Sequence, residues 1–233
     1  MNTIRLKFKK TGLSIYYSQL DLQRVMARAL KKSGLPVWYS QGFNPHIYMT
    51  FTLPLSLGHE SECESVDFRL NEEMSEADIL KAIEGTLPQG IELVSAKEPD
   101  YDARSIMFAR YNITLYGNKD KIVSAIKEYE NLEQAIVTKV TKKGQKDINL
   151  KELIGKIEIT EEKADEVSFT AIYPAGTPLN INPQLLLDFL KENYGIEVID
   201  AYVLRKNLFD KDKRILFTEN SNINWITDKK VRK

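Results

Sequence analysis

The feature that most constrains the fold is an order of short periodic segments that occurs twice along the chain. Residues 4–9 alternate apolar and basic side chains, the period of a strand with one buried and one wet face. Ser18 and Asp21 form a capping signal ahead of apolar residues at helical spacing, and extended segments, a helix after Ser75 and an extended segment at 91–96 follow. This order of strand, helix, strand, strand, helix, strand is typical of a ferredoxin-like domain.

The second half of the chain repeats this order. Residues 111–204 contain a helix predicted to begin at Asn118 and another at Asn182-Pro183, with extended segments around them. We therefore predict an α+β protein of two tandem ferredoxin-like (βαββαβ) domains with antiparallel sheets. The predicted domains are residues 1–99 and 100–207, and residues 208–233 are predicted to form a basic C-terminal tail.

Composition excludes several classes of function. One cysteine and two histidines in 233 residues exclude an internal disulfide, an iron–sulfur cluster held by this chain alone and a Cys/His zinc site, so no metal-binding residues are predicted. The sequence has no apolar run long enough to span a membrane, and its N-terminus alternates where a signal peptide would be continuously apolar. We therefore predict a cytoplasmic protein with no membrane partner.

The first 50 residues are strongly basic, with eight Lys or Arg residues and one acidic residue. Arg24 and Arg28 are predicted to lie on the outward face of the first helix. Arg5, Lys7 and Lys9 share one face of the first strand, and in a ferredoxin-like unit the helices cover the opposite face. We therefore expect these three residues to form an exposed face that binds polyanions. The alternative is ordinary solvation of surface charge.

The segment Gln41-Gly42-Phe43-Asn44-Pro45-His46 connects two extended stretches and is predicted to be a turn. It combines amide groups, an aromatic ring and an imidazole, so Gln41, Gly42, Phe43, Asn44 and His46 are candidate ligand-binding residues. The alternative is a purely structural turn in which Phe43 packs inward and His46 makes one hydrogen bond. His46 is the only candidate for general acid–base chemistry, and no residue is assigned as catalytic.

A dense set of motifs covers the first 95 residues. These motifs are Tyr17-Ser18-Gln19-Leu20-Asp21-Leu22-Gln23-Arg24, Arg28-Ala29-Leu30, Gly34-Leu35-Pro36, Ser40 to His46, Pro54-Leu55-Ser56-Leu57-Gly58 and Glu64-Ser65-Val66-Asp67. They resemble the radical SAM-linked family, a domain of unknown function numbered 2344, in its stand-alone form. Ser18 and Asp21 join Arg24 and Arg28 as candidate ligand-binding residues on this basis.

The resemblance implies a partner that is a radical SAM protein. In that reading this chain binds no cofactor, and S-adenosylmethionine and the iron–sulfur cluster belong to the partner. The leading hypothesis is an accessory RNA-binding module that acts with the radical SAM enzyme in RNA modification or ribosome-related processing. One alternative, by fold-level analogy only, is a metal-independent RNA-processing enzyme that uses His46 with Tyr17 or Tyr39. The other is a pure protein-interaction domain.

Overall fold

The computed structural model describes residues 2–141 and 144–217 of the chain. The chain separates into two compact units. Among the described residues, the first contains those up to Met107 together with 207–217, and the second contains those within Phe108–Lys206. The division therefore falls later than the predicted 99/100 boundary.

The first unit has the element order predicted from the sequence. Its regular elements are β1 (Asn2–Lys10), α1 (Gln19–Lys32), β2 (Met49–Phe51), β3 (Glu60–Leu70), α2 (Glu76–Ile83) and β4 (Ile91–Lys97). A 3-10 turn at Gly12–Tyr16 joins β1 to α1. Strand β1 lies between β3 and β4, β2 pairs with β3, and these three pairings are antiparallel.

Helix α1 begins where its capping signal is. Ser18 accepts a hydrogen bond from the backbone N–H of Asp21, and the Asp21 side chain accepts one from the backbone N–H of Ser18. The helix then buries Leu22, Met26 and Leu30 in a core to which the sheet contributes its apolar face. Each such side chain contributes about 1.5–3 kcal/mol of burial free energy, so packing fixes the inward face and leaves the basic face in water.

The second unit contains a sheet and a separate hairpin. Its elements are β5 (Phe108–Gly117), α3 (Lys119–Asn131), β6 (Ile136–Thr141), β7 (Gly144–Asn149), α4 (Leu150–Leu153), β8 (Glu158–Glu162), β9 (Glu166–Pro174), α5 (Gln184–Tyr194) and β10 (Val198–Phe209). The last three residues of β10, 207–209, belong to the first unit. The sheet order is β10-β5-β9-β8, and β6 pairs with β7. Strands β5 and β8 both pair with β9, and both pairings are antiparallel. The predicted α+β class is confirmed.

The segment after β10 folds back onto that strand. Phe209 forms an antiparallel bridge with Ile215, and the Leu216 N–H donates to the Leu208 carbonyl at 2.9 Å. The side chain of Phe217 is buried. The prediction of a tail beginning at residue 208 is therefore wrong for residues 208–217, and the rest of the predicted tail, 218–233, lies outside the described residues.

None of the helices in the described part of the chain has both the length and the apolar character needed to cross a membrane.

Candidate functional site

Residues 41–46 form an exposed turn whose base is closed by Ser40. The Ser40 N–H donates to the His46 carbonyl at 2.8 Å, and the His46 N–H donates to Ser40 Oγ at 3.1 Å. Ser40 Oγ also lies 2.9 Å from His46 Nδ1, and an antiparallel bridge joins Tyr39 to Ile47 next to this pair. The ends of the turn are therefore held in register by backbone and side-chain contacts, and its tip projects into water.

The tip of the turn presents Phe43 to solvent. The Phe43 ring is fully exposed, and Gln41, Asn44 and His46 are exposed with it. Gly42 has φ +128°, a backbone conformation that residues with a Cβ rarely adopt, so a glycine is required for the chain to turn here. The alternative in which Phe43 packs inward is wrong.

The imidazole of His46 is held by one of its two nitrogens. Its Nδ1 lies 2.9 Å from Ser40 Oγ and 3.2 Å from the Asn44 carbonyl oxygen. In the described part of the chain no hydrogen bond joins His46 to Tyr17 or Tyr39. The structure therefore shows His46 in contact with Ser40 and Asn44, and the enzyme alternative stays a prediction.

Two rings and a guanidinium group flank the turn, and we call Trp38, Tyr48 and Arg69 the aromatic–arginine cluster. The rings of Trp38 and Tyr48 meet edge to face with centroids 5.6 Å apart. Arg69, on β3, lies over both rings, 4.4 Å from the Tyr48 centroid and 5.5 Å from the Trp38 centroid. Local sequence patterns did not predict the positions of Tyr48 and Arg69 in this cluster, because only strand pairing brings β3 beside this segment.

Helix α1 presents a stripe of cations. Arg24, Arg28, Lys31 and Lys32 are exposed and recur at the spacing of one helix face. Arg24 Nη1 lies 3.6 Å from the Asp21 carboxylate, an exposed contact. No hydrogen bond or ion pair in the described residues joins Arg24 or Arg28 to the turn. The structure exposes both predicted groups but shows no direct contact between them.

Ser18 and Asp21 are occupied by helix capping. The Ser18 hydroxyl donates to the Asp21 carboxylate at 2.6 Å, and this hydrogen bond is the main cause of the lowered pKa of Asp21. Their polar atoms close the start of α1, so the structure gives both residues a folding role.

The predicted exposure of Arg5 and Lys7 is wrong. Their side chains are 2% and 1% exposed. Arg5 donates to both carboxylate oxygens of Asp67, at 2.7 and 2.8 Å, and Lys7 Nζ lies 2.7 Å from Asp100. The physical reason is that Asp100, Tyr101 and Phe217 cover this face of the sheet. The rings of Tyr101 and Phe217 lie against the two cations, and the Asp100 carboxylate pairs with Lys7.

Lys9 differs from its two neighbours on the same face. Its side chain is 23% exposed, and its Nζ lies 4.0 Å from Glu92 on β4. Of the three cations predicted to form a polyanion face, Lys9 is the one that is partly exposed, and it is paired with Glu92. Among the described residues there is also no group of three or more His, Cys, Asp or Glu side chains placed to hold a metal ion.

A family model described as "Uncharacterized protein conserved in bacteria (DUF2344)" matches residues 3–183. The chain belongs to this family. The match includes α1, the turn, the aromatic–arginine cluster and the Arg5 and Lys7 pairs. The DUF2344 description gives no activity, and no curated protein matches this sequence.

A solved structure titled "Crystal Structure of a Cbf5-Nop10-Gar1 Complex" is similar to this chain with a TM-score of 0.47 and 13% sequence identity. The similarity covers 91% of this chain and 51% of the solved chain, so this protein spans about half the length of that structure.

Proposed function

We propose that this protein is a cytoplasmic accessory RNA-binding module that acts with a radical SAM enzyme, in RNA modification or ribosome-related processing. The observation that carries the proposal is the fully exposed Phe43 ring at the tip of a turn with a hydrogen-bonded base. An apolar ring held in water on an ordered turn is suited to stacking on an unpaired base, which contributes about 1–3 kcal/mol per base.

Exposed cations in the same unit support a polyanionic ligand. The cations of α1 supply positive charge to an exposed helix face, and Arg69 adds a guanidinium group beside two aromatic rings. Single-stranded nucleic acid is bound by this combination of basic and aromatic side chains, because phosphates pair with the cations and bases stack on the rings.

The proposal also includes the type of domain that the chain forms and the identity of its partner. We infer two tandem ferredoxin-like domains, since the first unit has the βαββαβ order with strand neighbours β4-β1-β3-β2. The radical SAM partner is inferred from the family resemblance of the sequence motifs. One cysteine cannot hold an iron–sulfur cluster, so the cluster and S-adenosylmethionine would be bound by the partner.

The test is a titration of a labelled single-stranded 12-nucleotide RNA, followed by fluorescence anisotropy at 50 mM salt. Phe43→Ala should weaken binding at least fivefold, since it removes one stacking surface. Arg24→Ala with Arg28→Ala should weaken binding and make it less salt-dependent. The matched controls are Ile199→Ala, another exposed apolar residue, and Lys121→Ala with Lys127→Ala, two exposed cations of α3. Unchanged affinity in the first two variants would overturn the proposal.

A second candidate function is a protein-interaction domain, which a different observation favours. Leu13, Tyr16, Leu20 and Leu57 are large apolar side chains that are exposed near the start of α1. The Gly58 N–H donates to the Ile15 carbonyl at 3.0 Å, so the 54–58 loop lies against the 3-10 turn that carries Leu13 and Tyr16. Capture of a radical SAM protein that survives nuclease treatment and is lost in Tyr16→Ala with Leu57→Ala would favour this function over RNA binding.

A further inference from the structure

The covered face of β1 and its neighbouring strands carries two cations and two hydroxyl groups. Arg5 and Lys7 point to the same side as Ser65 and Asp67 of β3, because Arg5 pairs with Asp67 and Lys7 with Ser65 in the antiparallel register. Ser65 Oγ lies 2.8 Å from Thr52 Oγ1, which adds a second hydroxyl. We call Arg5, Lys7, Thr52 and Ser65 the basic sheet face.

The chain after β4 lies across this face, and we call residues 98–105 the strap. Tyr101 of the strap places its ring 4.2 Å from the Arg5 guanidinium carbon and its hydroxyl oxygen 3.4 Å from Ser65 Oγ. The Tyr101 carbonyl accepts a hydrogen bond from Arg5 Nη1 at 2.7 Å. Asp100 provides the carboxylate that lies 2.7 Å from Lys7 Nζ.

The groups that make these contacts are a ring, a carboxylate and a hydroxyl, which correspond to the base, phosphate and sugar hydroxyl of a nucleotide. A planar ring stacked on a guanidinium group is how an arginine holds a nucleobase, and a carboxylate on a buried ammonium group occupies the place of a phosphate. The Tyr101 hydroxyl, which lies 3.4 Å from Ser65 Oγ, adds a polar contact to the ring and the carboxylate. Asp100 and Tyr101 therefore present an anion and a ring at adjacent positions, as one nucleotide does.

Arg5 and Lys7 differ in whether their carboxylate partner belongs to the strap. Arg5 keeps a bidentate carboxylate partner in Asp67, which belongs to the neighbouring strand. In the described residues Asp100 is the only carboxylate paired with Lys7, whose ammonium group also lies 5.6 Å from the Tyr101 ring centre and 5.2 Å from the Phe217 ring centre. Release of the strap would leave Lys7 without an anion, and another anion would be favoured there.

The strap is attached mainly through these two residues. Asp102 and Arg104 are exposed and pair with each other at 2.8 Å, within the strap itself. Strand β4 ends at Lys97, and Ile106 is fully buried, so the chain is anchored on both sides of the strap. The strap can thus lift while its ends stay in place.

We propose that the basic sheet face is a second contact site for one nucleotide of single-stranded RNA, and that the strap occupies it until RNA displaces Asp100 and Tyr101. This inference rests on the proposed RNA-binding function and adds the site to the exposed turn and α1. Bound RNA would place a phosphate on Lys7 and a base on Arg5, where the carboxylate and ring of the strap now lie.

The first test removes the strap's contacts. Asp100→Asn with Tyr101→Ala should bind the labelled 12-nucleotide RNA about five- to tenfold more tightly, because RNA no longer has to displace the strap. The salt dependence should steepen by about 0.7, because Lys7 without the Asp100 carboxylate carries a counterion that the bound phosphate releases. The matched control is Asp102→Asn, which removes the same single negative charge from the strap at a residue whose ion pair is with Arg104 of the strap itself. Adding Lys7→Met to the first variant should abolish the gain. A folded double variant with unchanged or weaker affinity would overturn the inference.

The second test uses the unmodified chain and does not depend on a variant folding. Hydrogen exchange of the strap amides should become faster when RNA is bound, and unchanged or slower exchange would overturn the inference. If only the strap experiments fail while Phe43→Ala still weakens binding, the proposed function stands without this site. If neither the unmodified chain nor the strap variant binds RNA, both proposals fail.

Discussion

At the scale of single residues, the buried ion pair between Arg5 and Asp67 is set by strand register. The two residues are direct partners in the β1–β3 ladder, and both guanidinium-to-carboxylate contacts are shorter than 3 Å. Burial disfavours the charged form of Arg5, and the hydrogen bond and charge of Asp67 outweigh it, so the pKa of Arg5 is raised. The pair is thus satisfied in charge and in hydrogen bonding despite its burial.

Asp67→Asn should lower the free energy of unfolding by about 3 kcal/mol, because it leaves a buried guanidinium group without its carboxylate. Glu92→Gln is the control, since Glu92 is mostly exposed and lies 4.0 Å from a partly exposed lysine. We expect the control to change stability by less than about 0.5 kcal/mol. Urea denaturation measures both, and equal effects of the two substitutions would contradict the prediction.

Tyr173 should make stability fall at alkaline pH. Its hydroxyl is buried with no hydrogen-bond partner within residues 2–141 and 144–217, and burial raises its pKa well above the usual value. The folded protein keeps this proton where the unfolded chain loses it, so stability present below about pH 10 is lost as pH rises further. Thermal unfolding at pH 7 to 11 measures the fall.

Tyr173→Phe removes both the titrating group and the unpaired hydroxyl. We expect it to raise the free energy of unfolding by about 1 kcal/mol at pH 7 and to reduce the alkaline loss. Tyr116→Phe, at a half-buried position on β5, is the control and should do neither. A destabilised Tyr173→Phe variant at pH 7 would show that the hydroxyl has a partner.

Arg5 and Lys7 also show what a local sequence pattern can predict and what it cannot. Alternation in residues 4–9 predicted correctly that Arg5 and Lys7 share a face, because that follows from strand geometry. It could not predict that the face is covered, since Asp100, Tyr101 and Phe217 come from segments distant in sequence. A buried face of lysine and arginine has the same local pattern as an exposed one.

At the scale of elements, helix starts were predictable because their signals are local. The predicted caps at Ser18, Ser75 and Asn118 are confirmed by their hydrogen bonds to the first helical turn. Strand β7 was missed because its sequence, Gly144 to Asn149, is polar and lacks the apolar alternation that indicates a strand. The turn was predicted from Gly42 and Asn44-Pro45, but the direction of Phe43 depends on packing and was left open.

Ser18→Ala should destabilise the protein by about 1 kcal/mol, because the N–H of Asp21 loses its acceptor at the start of α1. Gln23→Ala is the control, since Gln23 is exposed within the same helix and alanine is a good helix former. Circular dichroism during thermal unfolding distinguishes the two. A Ser18→Ala variant as stable as the control would mean that α1 is held by packing alone.

At the scale of the whole molecule, zero net charge conceals the available cations. The chain has 33 basic and 33 acidic side chains, and the first 50 residues hold eight of the former. Three of those eight, Arg5, Lys7 and Lys10, are buried. Exposed positive charge in this segment is therefore concentrated on α1, at Arg24, Arg28, Lys31 and Lys32.

RNA binding should weaken about 50-fold between 50 and 200 mM salt if these four cations each contact a phosphate, at about 0.7 per contact for a single strand. Arg24→Ala with Arg28→Ala should reduce the change to about sevenfold. Anisotropy titrations across this range measure both slopes. Salt-independent binding would contradict the assignment of α1 as the phosphate-contacting helix.

The return of the segment from Asn207 to the first unit has a practical consequence for expression. Phe217 is buried and its ring lies 5.2 Å from Lys7 Nζ. A gene truncated after codon 206 would therefore encode a protein whose amino-terminal half has lost packing contacts, although the deleted codons lie far from those that encode that half.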